Sequence, residues 1–561
     1  MKILLLVSSF NGLTQRAWCA LREAGHEVSV ELALDELTIV SGVEAAKPDL
    51  VICPFLKERV PARVWRSWRT IIIHPGPPGD RGPSSLDHVI MDGLPVWGVT
   101  ALQAVEEMDA GPIWASRTFP MAAEPPRKSA LYNGPVADAA VECIMETVQK
   151  AADPTFVPTP LAIAERPVPG TGLRPLLRQP DRAFDWDDDA ETIVRRIRAA
   201  DGFPGVRTEI AGVSVNAFDA HLGGVAGRPG QLLAHRDGAV LVGTGKGSVW
   251  LGHLKKPDGV KLPATIVLRG RVRGIPLSPV APYPQVSYSR QGHVGTLTFR
   301  FYNGALSARQ CRRLGVGLRH ALSQDTRVLV LRSGEEVFSN GIHLGVIEAA
   351  ADPAAEAWAN IRAINAICRR IVTASNQAVV SAYAGSAGAG GAMMGLGADI
   401  VVARSGVVLN PYYEMGLYGS ELHTYTLPAR VGSECATRLL TERLPVDHVQ
   451  AQAIGLVDAI GPRDPEAFAA WLAGVAAEQA SESRWQATLE AKAARAREAT
   501  KPLSYYETRE LAEMAADMFD DRKGFAAKRR CFMYKQKPTE TPAKLALHRQ
   551  PDHSPRLVGV A

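Results

Sequence analysis

Two proline-rich breaks limit what this chain can fold into more than any other feature. Phe156 to Pro175 holds Pro158, Pro160, Pro167, Pro169 and Pro175; Gly274 to Pro284 holds Pro276, Pro279, Pro282 and Pro284. Proline fixes φ and removes a backbone donor, so neither stretch continues a helix or a central strand. Both read as linkers. They cut the 561 residues into blocks with different hydrophobic patterns, and a length of ~150 residues per domain suits three or four domains.

The first block alternates strands and helices. Residues 2–7 are an apolar strand, and 14–24 are helix-like, with Gly25 as a stop. Val28, Val30 and Leu32 alternate with polar residues at strand period. Asp49 to Cys53 and Thr70 to Ile73 are two further strands. This alternation predicts a parallel α/β sheet, in which ligands bind at the carboxyl ends of the strands. His74 stands at one such end. In the middle block a short helix, Ala190 to Arg198, precedes strands from Thr208 to Lys255 separated by glycine turns. That pattern predicts a small β-barrel. The last block returns to α/β: strands at Val294 to Tyr302, Val328 to Leu331 and Ala378 to Ser381, a helix at Ser307 to Ser323, and alanine-rich helices after residue 430. The fold class expected is α/β multidomain.

Composition excludes several classes. Hydrophobic residues make up 46%, charged residues 22%, and the net charge is +5, as in ordinary globular proteins. Basic residues cluster only between Arg522 and Lys537, as a solvated helix face or a site for a phosphorylated small molecule. A nucleic-acid stripe needs denser clustering. The seven cysteines lie far apart, with no C-x-x-C and no Cys/His cluster of metal spacing, so no metal site is expected and a reducing cytoplasm is. The opening MKILLLVSSF is followed at once by a helix and reads as a buried strand rather than a leader. No apolar run reaches the ~18 residues of a membrane helix. No membrane partner is expected.

The densest motif is Ile73-His-Pro-Gly-Pro-Pro-Gly-Asp-Arg-Gly-Pro83, followed by Gly98-Val-Thr100 and Met108-Asp-Ala-Gly-Pro-Ile113. A histidine and a carboxylate arrive from separate segments around a rigid loop. Such a pair can relay protons in acyl transfer. Over roughly residues 1–165 the order and spacing resemble the 10-formyltetrahydrofolate-dependent formyltransferases. The resemblance implies a Rossmann-like formyltransferase domain with catalytic roles for His74 and Asp109. It implies folate contacts at Gln15, Phe55, Arg81, Gly82 and Thr100, with Val51 to Pro61 bordering the pterin. One departure stands out. Where the family has asparagine two residues before the histidine, this chain has Ile72. Losing one donor to a developing oxyanion costs about 3 kcal/mol. A thiol, partly ionised at neutral pH, is an easier acceptor than an amine. Residues 166–275, with Asp185-Trp186, Ile197-Arg-Ala199 and Pro204-Gly205, resemble the OB-like barrel that follows in that family.

Residues 285–561 resemble the crotonase (enoyl-CoA hydratase/isomerase) superfamily, a ββα spiral. The resemblance rests on Phe338-Ser-Asn-Gly-Ile-His-Leu344, Gly385-Ser-Ala-Gly-Ala-Gly-Gly391 and Leu427-Pro-Ala-Arg-Val-Gly432. It implies a thioester oxygen held by backbone N–H groups near Ile342 and Gly390, with Gly391 beside them, and coenzyme A phosphates near Lys528 and Arg529. Where hydratases place two glutamates, Met393 and Tyr413 stand here, so enoyl hydration is not expected. The block Asn410 to Glu421 offers Tyr412, Tyr413, Glu414 and Glu421 for other proton transfers.

This pairing resembles the HypX/HoxX-type hydrogenase maturation proteins. The resemblance implies formyl transfer from 10-formyltetrahydrofolate to coenzyme A, then loss of carbon monoxide from formyl-CoA. It also implies transient contact with hydrogenase maturation proteins or the hydrogenase large subunit. Two alternatives stay open: a formyltransferase for another acceptor fused to an unrelated acyl-CoA enzyme, and a non-catalytic maturation scaffold.

Overall fold

The computed structural model describes residues 1–166, 168–279 and 284–550. Of the two expected linkers, Pro167 and residues 280–283 lie outside the described ones. By their contacts the residues divide into two units. One holds residues 1–257, 263–282 and the chain from Lys537 on, and the other holds 258–262 and 283–536.

The first unit is built on a six-stranded sheet. Its strands are β1 (Lys2–Val7), β2 (Glu27–Leu32), β3 (Leu50–Cys53), β4 (Thr70–His74), β5 (Val96–Gln103) and β6 (Ile113–Pro120), in the order β2-β1-β3-β4-β5-β6. β1 to β4 pair in parallel; the inner β1, β3 and β4 are nearly continuous apolar runs, as strands covered on both faces are, whereas the edge strand β2 alternates. Helix Gly12–Glu23 covers part of the sheet, and the Asn11 side chain caps its start by accepting from Thr14 N at 3.0 Å. The parallel sheet expected from sequence is extended by two strands in antiparallel pairing, since β5 runs against β4, and β6 runs against β5. β4 reaches β5 through residues 75–95, and the short 104–112 connection, which can join only antiparallel neighbours, then turns β5 into β6. That turn comes back beside the end of β4.

The first proline-rich stretch is not a free linker. Thr159 bridges Ile113, and Leu173 bridges Arg81. The middle block then forms five antiparallel strands, ordered Val206–Ile210, Val213–Gly223, Ser248–Lys255, Ala239–Gly243, Leu232–Arg236. At the far edge, β2 is closed by residues from the end of the chain. Val30 N donates to Leu545 O at 2.9 Å and Leu32 N to Thr541 Oγ1 at 2.9 Å. Glu31, 1% exposed, accepts from Thr541, His548 and Arg549. An edge strand so covered cannot template a second chain.

The second unit winds as repeats of two strands. Each repeat gives a long strand to one sheet and a short one to another: Val328–Ser333 then Val337–Ser339, Ala378–Tyr383 then Ser386–Gly388, Ile400–Arg404 then Val408–Asn410. The core between them holds Phe299, Phe338, Tyr383 and Leu409, all fully buried. Helix Ala308–Leu322 starts at a Ser307–Gln310 capping box. Helix Pro353–Val372 packs on helix Ala308–Leu322 and on the Gly341–Ile342 strand, and helix Leu503–Phe519 packs on helix Pro353–Val372. Among the described residues no helix is long and apolar enough to cross a membrane.

Candidate functional site

In the first unit β4 ends at His74, which pairs across the sheet with Thr100. The loop after it is pinned from three sides. Thr100 Oγ1 donates to Gly76 O at 2.8 Å, Trp97 Nε1 to Pro75 O at 2.9 Å, and Ser85 Oγ to Pro75 O at 2.7 Å. Gly76 is required by space. A Cβ there would lie 2.2 Å from Asp80 Oδ2 and 2.7 Å from His74 Nε2. The loop therefore folds tightly enough to bring Asp80 Oδ2 to 2.9 Å from His74 Nε2. Asp109, at φ +53° in the returning turn, places Oδ2 at 3.5 Å from His74 Nδ1 and accepts from Gly82 N at 3.1 Å. The imidazole is 4% exposed and bracketed by two carboxylates. A neutral ring can donate to only one of them; a doubly protonated ring can donate to both. The arrangement suits a group that takes up and returns a proton without turning.

The other expected residues have defined places. Arg81 clips the turn that bears Asp109, donating to Glu107 at 2.7 Å and to Met108 O at 3.1 Å. Gln15 donates to Phe10 O. Phe55 meets Tyr132 edge to face at 6.0 Å, and Tyr132 Oη accepts from Asn11 Nδ2. Ile72 packs against the Leu4, Leu6, Val51 and Cys53 cluster and offers no donor.

In the second unit the glycine segments meet. A Cβ on Gly341 would come within 3.2 Å of Gly390 N and 3.4 Å of Gly391 N, and one on Gly391 would strike Ser339 O at 2.2 Å. Glycine alone permits backbones this close. Helix Gly390–Met394 begins here, and the first N–H groups of a helix have no partner inside it. Facing Gly390 is Glu421, whose Oε1 would lie 2.3 Å from a Gly390 Cβ. Its Oε2 accepts from Tyr412 Oη at 2.9 Å and Ser420 N at 3.1 Å. Burial pushes the Glu421 carboxyl above the ordinary carboxylate range. Burial, with the Glu421 charge beside it, pushes the Tyr412 phenol far above its own. A carboxyl and a phenol in contact, both deprived of water, form a unit that can pass a proton.

Tyr413 and Glu414 are less enclosed than Tyr412 and Glu421. Both are exposed, Tyr413 by 40%, with its hydroxyl over Gly388. Met393 is 2% exposed in the core. Arg529 is buried and paired with Glu348 at 2.8 Å, whereas Lys528 is exposed.

The hydrogenase maturation factor HoxX of Bradyrhizobium diazoefficiens is 42% identical to this chain over 569 residues, covering 100% of both. The chain belongs to the HypX/HoxX family of hydrogenase maturation factors. The crystal structure of HypX from Aquifex aeolicus in complex with tetrahydrofolic acid is 38% identical. It covers 99% of this chain and 100% of that one at a TM-score of 0.93. The enoyl-CoA hydratase/isomerase family matches residues 295–537, and the formyl transferase C-terminal domain matches 176–272. Methionyl-tRNA formyltransferase of Nitrosomonas eutropha is 25% identical over 261 residues, 46% of this chain and 78% of that one. A formyltransferase half and a crotonase-type half on one chain make this HypX/HoxX protein a one-carbon transfer enzyme.

Sequence reasoning missed four polar residues around the two sites. Asp80 stands inside the conspicuous loop motif, and its signal was a carboxylate six residues after the histidine. Asn365, His423 and Glu510 are each at most 2% exposed. Asn365 Oδ1 accepts from Glu421 N at 2.9 Å. His423 Nδ1 lies 2.8 Å from Ser420 O, and burial lowers that imidazole to about 4. Glu510 accepts from Leu422 N, Thr424 N and Thr424 Oγ1, and burial raises it to about 7. Their only signal was a polar residue on the apolar stripe of a helix or strand end.

Proposed function

We propose that this protein supplies carbon monoxide for hydrogenase maturation in two steps, using formyl-CoA as the intermediate. In the first, formyl passes from 10-formyltetrahydrofolate to coenzyme A. The carbon–nitrogen bond breaks, a carbon–sulfur bond forms, and the thiol proton goes to the folate nitrogen. His74 moves that proton while Asp80 and Asp109 hold its ring. Ile72 removes a donor that amine acceptors rely on, which favours a thiol. Gln15, Phe55, Arg81, Gly82 and Thr100 surround the folate.

In the second step formyl-CoA gives carbon monoxide and coenzyme A. The formyl C–H proton leaves, the carbon–sulfur bond breaks with its electrons going to sulfur, and the thiolate takes up a proton. No electrons are gained or lost. Backbone donors near Ile342 and Gly390 hold the thioester oxygen, while Glu421 and Tyr412 carry the proton. Tyr413 and Glu414 shape the approach, and Lys528 meets a coenzyme A phosphate. The reaction belongs in the cytoplasm, where transient contact with maturation proteins or the hydrogenase large subunit would pass the product on.

The observation that carries this reading is the buried Tyr412–Glu421 pair pressed against Gly390, in a crotonase-type cradle. The deciding experiment incubates the full chain with 10-formyltetrahydrofolate and coenzyme A and measures headspace carbon monoxide and formyl-CoA. Carbon monoxide that requires both substrates supports the reading. Formyl transfer to another acceptor, or no turnover at all, overturns it.

A further inference from the structure

Helix Pro353–Val372 carries two asparagines with no exposure at all, Asn360 and Asn365. A buried amide stabilises a fold only through the hydrogen bonds it makes. Asn360 Oδ1 accepts from His343 N at 3.3 Å, directly after the Gly341–Ile342 segment. Asn365 Oδ1 accepts from Glu421 N at 2.9 Å, and its Nδ2 has no partner. Five residues along a helix span roughly 7.5 Å. One rigid element therefore ties down both the glycine segment and the residue opposite it.

The far side of that residue is held as firmly. Glu421 and Leu422 are consecutive left-handed residues, with φ of +64° and +58°. Side-chain-bearing residues avoid this conformation and rarely adopt it twice in succession. It persists when the surroundings fix it. Glu510, from helix Leu503–Phe519, does so. Its Oε2 accepts from Leu422 N at 2.9 Å, and its Oε1 from Thr424 N at 2.7 Å and Thr424 Oγ1 at 2.6 Å. The same oxygen lies 3.2 Å from His423 Nδ1. The N–H groups of residues 421, 422 and 424 thus end on two side chains from two different helices.

We propose that Asn365 and Glu510 are positioning residues that clamp the left-handed 421–422 turn and so aim the Glu421 carboxyl at Gly390. This inference rests on the role given to Glu421 above. Neither residue needs to touch a substrate. Releasing either side lets the turn relax toward right-handed conformations and swings the carboxyl away.

The test supplies formyl-CoA directly to the full chain and follows carbon monoxide. Asn365→Ala and Glu510→Gln should lower kcat by up to about 100-fold, the cost of an ångström of misplacement. KM should stay within about threefold, and formyl transfer at the first site should be unchanged. Thr424→Val, which removes one hydroxyl donor at constant volume, should lower kcat a few-fold; it keeps the clamp testable where the larger changes unfold the unit. Wild-type kcat in folded Asn365→Ala, Glu510→Gln and Thr424→Val chains would overturn the clamp. Wild-type kcat in Glu421→Gln would instead overturn the role of Glu421, which separates the two failures.

Discussion

The two sites solve the same problem, holding a proton-transfer group still, by opposite means. In the first, local sequence suffices on one side. Asp80 is six residues from His74, and the Pro75 to Pro83 loop folds back on itself to bring them to 2.9 Å. Only Asp109 comes from a distance, along the turn between β5 and β6. In the second, Tyr412 and Glu421 are close in sequence, but the backbone at Glu421 and Leu422 is left-handed and is held by Asn365 and Glu510, both remote. A proline- and glycine-stiffened loop needs little outside help. A strained turn needs tertiary contacts, because no local interaction selects it. The first design concentrates its specification in one motif, and the second spreads it over two helices.

The sharpest way to break this comparison is to separate the two activities. His74→Ala should lose about 10²- to 10⁴-fold in formyl-CoA formation, the range for a general acid–base group. It should release carbon monoxide from supplied formyl-CoA at the wild-type rate. Glu421→Gln should do the reverse. Formyl-CoA by chromatography and carbon monoxide by headspace analysis read the two steps. If either variant lost both activities while remaining folded, the sites would not be independent and the comparison would fail.

A second prediction sharpens the account of the first site. The two carboxylates bracket one ring, so Asp80→Asn and Asp109→Asn should each slow formyl transfer, by about 100-fold. Asp80 is 2% exposed and stands nearer His74. Its substitution should cost at least as much as that of Asp109. A near-neutral Asp80→Asn would make that residue a loop strut and leave Asp109 as the working partner.

Smaller still are two glycine substitutions that test how each site is packed. Gly76→Ala forces a methyl into Asp80 and His74, and Gly390→Ala forces one into Glu421. Overpacking of this kind costs about 1–3 kcal/mol, visible as a lower unfolding midpoint. Each should also disable its own step alone. A Gly390→Ala chain of normal stability and activity would mean that Glu421 moves aside freely, contrary to a clamped turn.

The sequence made the first site readable and the second only in part. His74 and Asp109 follow from motif order, because a strand end, a stiff loop and a tight turn are local devices that residue types announce. Tyr412 and Glu421 were in view, but so were Tyr413 and Glu414, which the structure leaves exposed. Periodicity could not separate them, since residues 411–420 form no regular element. The pairing of Arg529 with Glu348 was not legible either, since the two stand far apart in sequence. Asn365 and Glu510 were invisible for the same reason: a polar residue on a helix declares its partner only when another helix is placed against it. The fold fared similarly. Parallel β1 to β4 came from apolar runs and intervening helices, while the reversal at β5 and the return of the chain end to β2 depend on contacts far apart in sequence.

The effect that leaves wild type least changed, because two opposed contributions offset each other, concerns pH and the second site alone. Burial raises Glu510 to about 7 from an ordinary 4.5. Folding therefore takes up a proton there between those values. The stability contributed is fully present below about 4.5 and is lost as pH rises through about 7. Burial lowers His423 to about 4 from 6.5. Folding expels a proton there, so this contribution is present above 6.5 and is lost as pH falls through 4. Each shift corresponds to about 3 kcal/mol, with opposite signs in overlapping windows, so from pH 4.5 to 6.5 the two slopes largely cancel. Glu421, raised in the same direction as Glu510, adds to the Glu510 side. Glu510→Gln removes one arm of this balance. Denaturant unfolding of the full chain at pH 5, 6 and 7 should then show second-unit stability rising with pH in the variant relative to wild type. Parallel profiles for the two chains would mean that Glu510 keeps an ordinary carboxylate affinity for its proton, and that its three donors outweigh its burial.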